Sequence, residues 1–245
     1  MEIVANRSSC EWRLTPWDSR VFGFPTSESR NIQYTDAEIT DLFFKIDGIN
    51  EQESVKLTYF RHDSNDQLLK RAALENGYSI KEFSLYTYHN NVSKIPQSPR
   101  KLDFRKATRD DLKQIQHIAA TSFTHGRFHE DPFVNYEFAQ RRYENWIADL
   151  MDTEFYVFDI KNQVGGFFSY AIKDNEIEMP ISGLSQDALR LGGFLWVNMF
   201  HFIHEKEKIT KIRNLISGSN IAVMNLYARL GFTFEQPMFG YHKFY

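Results

Sequence analysis

The sequence predicts a mixed α+β fold in two units, the second built on a central, mostly antiparallel sheet. Three observations lead there. Phe155 to Ile160, Gln163 to Ile172 and Glu176 to Ile181 alternate apolar and polar side chains, and turns at Lys161-Asn162 and Lys173-Asp174-Asn175 join them into an antiparallel meander. Capped stretches with apolar residues at helical spacing flank that meander. A strand-helix-strand pattern around Ser64 returns around Ser219, which argues for two related units.

The first unit, residues 1–95, opens with Trp12 and the run Trp17-Asp18-Ser19-Arg20-Val21-Phe22-Gly23-Phe24-Pro25, which reads as a strand and a tight turn. Ala37 to Ile46 is a helix capped by Thr35 or Asp36 and ended by Gly48, and Val55 to Phe60 alternates as a strand. Ser64-Asn65 caps the next helix and Gly77 stops it, with a strand from Phe83 to His89 after it. Asn90 to Pro99 is polar and aperiodic and carries two prolines, so a linker is placed at 96–101.

The second unit, residues 102–245, begins with a short strand, Leu102 to Arg105. Thr108 and Asp111 form a capping box for a helix through Ile115, Ile118 and Ala119. Glu137 to Met151 is the second helix; after the meander come a helix from Asp187 to Glu205 and a strand from Ile209 to Ser217. In the last helix Ser219 or Asn220 caps the start, Val223, Leu226, Tyr227 and Leu230 share a face, and Gly231 supplies the left-handed stop. A final strand runs from Phe239 to Phe244.

Composition narrows the function classes. Apolar residues at 42% and charged ones at 25% over 245 residues describe an ordinary soluble globular protein with length enough for a core. A formal charge of −3 argues against a nucleic-acid partner, which needs a basic face. The single cysteine, Cys10, excludes an internal disulfide and a cysteine metal site. No metal-ligand spacing stands out, and no metal is expected. The N-terminus lacks the apolar core of a signal peptide, and Gly192 to Ile203, the longest apolar stretch, is broken by Asn198 and His201 and falls short of a membrane span. A cytoplasmic protein without a membrane partner is expected.

The order strand, two helices, three strands, helix, strand, helix, strand over Leu102 to Tyr245, with Asn220, Tyr227 and Gly231-Phe232 in the last helix, resembles the GCN5-related N-acetyltransferase superfamily. The resemblance implies that fold for the second unit, preceded by a smaller, degenerate copy. It also implies acyl-coenzyme A as cosubstrate, Tyr227 as the general acid that protonates the departing thiolate, and Asn220 beside cofactor or substrate. A thiol leaving group of pKa about 8.5 needs only a weak acid at hydrogen-bond distance. Alternatively, Tyr227 is one more aromatic on a packed stripe. The first unit has Ala72 or Ala73 at that place, depending on register, so only the second copy can use such an acid.

In the family a glycine loop at the start of the third helix holds the pyrophosphate on backbone N–H groups. Here that loop is Arg190-Leu191-Gly192-Gly193-Phe194, which breaks the family spacing once whether counted from Leu189 or Arg190. By the same resemblance Ile181, Gly183 and Leu184 line the cofactor from the preceding strand, and Asn225 and Arg229 from the last helix. Glu178 holds a place the family often uses for the base; a solvated strand face with Glu176 and Glu178 is the plainer reading. Arg127-Phe128-His129-Glu130-Asp131-Pro132, with Trp17-Asp18-Ser19 and Phe22-Gly23, is similar to the dTDP-sugar N-acyltransferases. That implies a dTDP-linked amino-deoxy sugar as acceptor, with Arg127, His129, Tyr136, Trp17 and Phe22 binding it, and allows a homodimer. Another small amine, a peptide N-terminus, or a non-catalytic binding module are the competing readings.

Overall fold

β1 (Glu2–Ala5) turns back at Asn6, whose φ is 54°, and pairs antiparallel with β2 (Ser8–Leu14) in this computed structural model, which describes residues 1–35 and 39–245. Where the sequence predicts a strand and turn, the chain instead forms a helix, α1 (Pro16–Phe22). Pro16 sits at the helix start, where its missing N–H costs nothing, Asp18 lies in the first turn, and Gly23 at φ 78° ends the helix. β3 (Thr26–Gln33) pairs antiparallel with β2.

α2 (Ile39–Gln52) buries Ile39, Leu42, Phe43 and Ile46. The predicted cap at Asp36 lies outside the described residues, and Gly48 is inside α2 instead of ending it. β4 (Leu57–Asp63) lies parallel to β3. α3 (Gln67–Glu75) is capped by Asp66, not by Ser64 or Asn65; its carboxylate accepts from the Leu69 N–H at 3.0 Å. β5 (Ser79–His89) follows.

β6 is only Arg105–Lys106, shorter than and displaced from the predicted strand. The Thr108/Asp111 capping box is present and leads through one 3-10 turn into α4 (Leu112–Ser122). Then come α5 (Tyr136–Leu150), β7 (Glu154–Ile160), β8 (Gln163–Lys173) and β9 (Glu176–Leu184). The two hairpins turn on Lys161-Asn162 and Asp174-Asn175, all four at positive φ between 50° and 64°, the geometry of tight β-hairpins. A 3-10 turn, Gln186–Leu191, precedes α6 (Gly192–Glu207). β10 (Ile212–Ser217), α7 (Ile221–Arg229) and β11 (Thr233–Phe244) complete the chain.

Two compact units result: Met1–Ser84 with Gly126–Phe138 and Gln236–Tyr245, and Leu85–His125 with Ala139–Glu235. In the first, the strand order is β1-β2-β3-β4-β11-β5, and α2 and α3 cover a core that includes Trp12, Phe43, Phe60, Leu69, Tyr78 and Tyr241. In the second, it is β5-β10-β9-β8-β7-β6, and alternation divides the side chains between two cores. Tyr156, Phe158, Phe168 and Ile177 go to the core with α6 and α7; Phe155, Val157, Phe167 and Ile181 go to the core with α4 and α5. Val92 and Ile95, from the polar stretch before the expected linker, are buried among the α6 residues, so that stretch is packed into the second unit.

The repeat is in exact register. The caps Asp66 and Asn220, the stops Gly77 and Gly231, and the strand starts Ser79 and Thr233 are each separated by the same interval. Tyr227 therefore corresponds to Ala73, which is fully buried.

Candidate active site

Tyr227 sits on the buried face of α7, its ring stacked on Phe232 at 4.6 Å. Its hydroxyl accepts from the Asn214 side-chain amide at 3.2 Å. Burial pushes the phenol pKa up, against the influence of Trp196 and Asn214, so the group is protonated at neutral pH. The Trp196 indole N–H is close enough to act on the phenol but makes no hydrogen bond of good geometry.

Asn214 is the residue the sequence reading missed. It is a buried polar side chain on the inward face of β10, between Ile212 and Ile216. A lone Asn on an otherwise apolar strand face is the one sequence signal that marked it, because an amide buried there must find partners. The second partner is across the strands: Asn214 Oδ1 accepts from the Met179 N–H at 2.7 Å. β9 and β10 run parallel and, among the described residues, share one register pair, Ile177 with Ile212. At Met179 a side chain already replaces the backbone acceptor. The next residue is Pro180, which has no N–H, and the β8–β9 register shifts there, with Ala171 opposite Glu178 and Ser169 opposite Ile181. Among the described residues no register pair joins β9 and β10 past Met179, and one amide joins the start of that opening in the ladder to the Tyr227 phenol.

The other expected catalytic residues take less direct places. Asn220 is the N-cap of α7, its Oδ1 accepting from the Val223 N–H at 3.2 Å. Glu178 follows the register pair, where β9 and β10 are still joined.

The expected cofactor residues fall on three adjoining elements of the second unit. Ile181, Gly183 and Leu184 are on β9 past its register pair with β10. A Cβ on Gly183 would come within 2.9 Å of Phe167, so only glycine fits. Leu191 is buried under the turn, Arg190 and Gly193 are exposed, and Gly192, Gly193 and Phe194 are the first residues of α6, where the helix leaves N–H groups to outside acceptors; that of Gly192 already donates to the Leu189 carbonyl. Nothing crowds Gly193. Asn225 and Arg229 are on the exposed face of α7. Backbone donors, the helix dipole and two arginine side chains make this set suited to a phosphate group.

The expected acceptor residues, Trp17, Phe22, Arg127, His129 and Tyr136, all belong to the first unit. They meet on the sheet face opposite the α2–α3 core. Phe22 packs on Phe128 at 5.2 Å, the Arg127 guanidinium lies 4.6 Å over Tyr59, Tyr136 meets the His129 ring at 5.3 Å, and Arg13 covers Trp17 at 4.9 Å.

That face is charged and largely buried. Tyr59 donates to Asp18; Arg61 pairs with Glu82 at 2.7 Å; Asp131 binds His242 at 2.7 Å and Lys81 at 3.3 Å. Burial pushes the Glu28 carboxyl up, but Arg127, Arg13 and Arg30 together carry it below its usual range. Burial lowers the His242 pKa in spite of Asp131, leaving a neutral ring. Few of these pairings were legible beforehand, since Asp131 and His242 are 111 residues apart.

Among the described residues no cluster of His, Cys, Asp and Glu could hold a metal ion, and no helix is long and apolar enough to cross a membrane. No family model matches the chain. The spore coat polysaccharide biosynthesis protein SpsD of Bacillus subtilis (strain 168) is 24% identical over 140 residues, a match that spans 54% of this chain and 47% of that relative, about half its length. Among solved structures, a GCN5-related N-acetyltransferase from Sphaerobacter thermophilus superposes with a TM-score of 0.66 at 9% identity, covering 97% of this chain and 76% of that one. Another from Kribbella flavida gives 0.63 at 12% identity, covering 99% and 89%. The fold, a mixed α+β arrangement on a large, mostly antiparallel sheet, is that of the GCN5-related N-acetyltransferases.

Proposed function

We propose that the protein is an N-acyltransferase that moves an acyl group, acetyl or a longer chain such as hydroxybutyryl, from acyl-coenzyme A to the amine of a dTDP-linked amino-deoxy sugar by direct attack. The observation that carries the reading is the Asn214 side chain, which bonds Met179 at the opening between β9 and β10 and Tyr227 at the phenol. A thioester in that opening has an acid one residue away.

The residues divide the work as follows. The N–H groups of Gly193 and Phe194, with Arg190 and Arg229, take the phosphates; Gly192, whose own N–H is bonded to Leu189, lets them approach the backbone, and Asn225 adds a polar contact on α7. Ile181, Gly183 and Leu184 offer strand edge and apolar surface to the pantetheine arm. The acceptor nitrogen attacks the carbonyl carbon, the C–S bond breaks, and Tyr227 gives its proton to the sulfur. Asn214 N–H donation to the phenol oxygen stabilises the phenolate left behind.

A relative whose name ties it to polysaccharide biosynthesis supports a sugar acceptor. We assign Trp17, Phe22, Arg127, His129 and Tyr136 to the sugar nucleotide; Trp17 and Tyr136 are exposed rings able to stack on a base, and Arg127 is a cation for the diphosphate. Screening acyl-coenzyme A donors against dTDP-amino sugars by mass spectrometry tests this, beside thermal shifts with coenzyme A and with dTDP. Product mass increased by one acyl group is expected. Failure of coenzyme A to bind at millimolar concentration would remove the proposal.

A further inference from the structure

An amine acceptor arrives as an ammonium ion and must lose a proton before it can attack, and Glu178 sits where the strands have not yet parted. At the far end of the opening stands another group. β9 ends at Leu184 and β10 at Ser217, and one segment, Ser122 to His125, is fastened to both ends. Ser122 donates to the Leu184 carbonyl at 2.8 Å, and Phe123 lies 3.4 Å from where a Gly183 Cβ would be. His125 Nδ1 is 3.0 Å from Ser219 Oγ, and Ser219 Oγ is 2.8 Å from Ser217 Oγ. The Ser219 N–H also donates to Ser217 Oγ at 3.1 Å, which fixes the serine pair. Tyr143 donates to the His125 carbonyl at 3.2 Å and packs at a tilt against Phe123 at 4.8 Å, so the backbone is held as well as the ring.

We infer that His125 is the general base of the acyl transfer and that Ser219, backed by Ser217, is its positioning residue. The inference rests on the acyl-transfer reading above. Histidine is suited because its charge changes near neutrality, so it can take a proton and release it to water at each turnover. Ser219 holds Nδ1, and the other ring nitrogen takes the proton. The ammonium sheds two protons in all. His125 takes the first, freeing the lone pair that forms the C–N bond; the C–S bond breaks and the sulfur takes the Tyr227 proton. The second nitrogen proton restores Tyr227 through solvent, and His125 returns the first to water, so one proton is released overall. The titratable group bonded to this residue's backbone is Tyr143, through the His125 carbonyl.

The test compares the full-length wild type with His125→Gln and Ser219→Ala, using acetyl-coenzyme A and whichever primary amine supports turnover in a screen of dTDP-amino sugars and simple amines. The second acceptor is methoxyamine, which is already uncharged at neutral pH. Expected for His125→Gln is a loss of about a hundredfold or more in kcat/KM for the primary amine at neutral pH. The loss should shrink as pH rises and deprotonates the amine, while methoxyamine turnover stays near wild type. Ser219→Ala should lower kcat several-fold and keep the acidic limb of the profile. An unchanged pH profile in His125→Gln, or an equal loss with both acceptors, overturns the assignment. Turnover with a simple amine and with no sugar nucleotide sinks the sugar reading alone; turnover with no amine sinks both.

Discussion

A tyrosine shut away from water keeps its proton, and so can deliver it only if the phenolate is received on the spot. Tyr227 meets that condition through the Asn214 amide. Tyr227→Phe keeps the ring and its stacking on Phe232 but removes the proton. We expect normal coenzyme A affinity and a turnover lowered about ten- to a thousandfold. Steady-state kinetics with calorimetry check this, and unchanged turnover where chemistry limits the rate would return Tyr227 to the packed stripe. Gly240 shows a different residue-scale demand. A Cβ there would lie 3.0 Å from both the Cβ and a carboxylate oxygen of Glu82, which is itself held by Arg61 and cannot swing away cheaply. Gly240→Ala should cost about 1–3 kcal/mol in urea melts, an overpacking cost; a variant as stable as wild type would show that the Glu82 cluster yields.

Elements were legible where their signals are local. The Thr108/Asp111 capping box and the hairpins at Lys161-Asn162 and Asp174-Asn175 involve residues within three positions of each other, and each formed as the sequence implies. α1 did not: three large aromatics before Gly23 suggested a strand, while Pro16, Asp18 and Gly23 carried the helix start and stop. The α3 cap was misplaced because Ser, Asn and Asp stand in a row and side-chain bonding to Leu69 chooses among them. The residues of the proposed site divide in the same way. Tyr227 and the glycines are local motifs, whereas Asn214, His125 and the Asp131–His242 pair acquire meaning only from distant partners. The capping box also gives a pH prediction. Hydrogen bonds from Arg105, helped by Thr108 and opposed by burial, hold the Asp111 carboxyl down to about 2. That value lies below the unfolded one of about 3.9, so the stabilisation is complete above the unfolded pKa and is lost as pH falls through the folded one. The melting temperature of Asp111→Asn should therefore lie below wild type at pH 7, with the gap closing between about pH 4 and 2. A gap that persists unchanged at the acidic end would assign the loss to packing.

At the scale of the whole chain, the two copies are related in sequence but not separable by one cut. Gln236–Tyr245, the end of the second copy, belongs to the first unit, where β11 pairs with β4 from Met238↔Asp63 to Phe244↔Leu57. Leu85–His89, the end of β5 in the first copy, belongs to the second unit beside β10. Thr87 donates to the Asn214 carbonyl at 3.3 Å, on the residue whose side chain bonds both Met179 and Tyr227. Val92 donates to Thr210 at 2.8 Å, so the region ahead of the expected linker is also bonded into the second unit. A fragment from Pro99 to Tyr245 loses β5 and the Val92–Ile95 contacts of the α6 core, and it leaves Gln236–Tyr245 without β4. Burying a domain core must offset the conformational entropy of the ordered chain by a narrow margin. We therefore expect the fragment to lack a cooperative thermal transition by circular dichroism and to lose coenzyme A binding, while the full chain shows both. A fragment that melts cooperatively and binds coenzyme A with full-length affinity would show that the exchanged strands are dispensable, and that the second copy stands as a domain by itself.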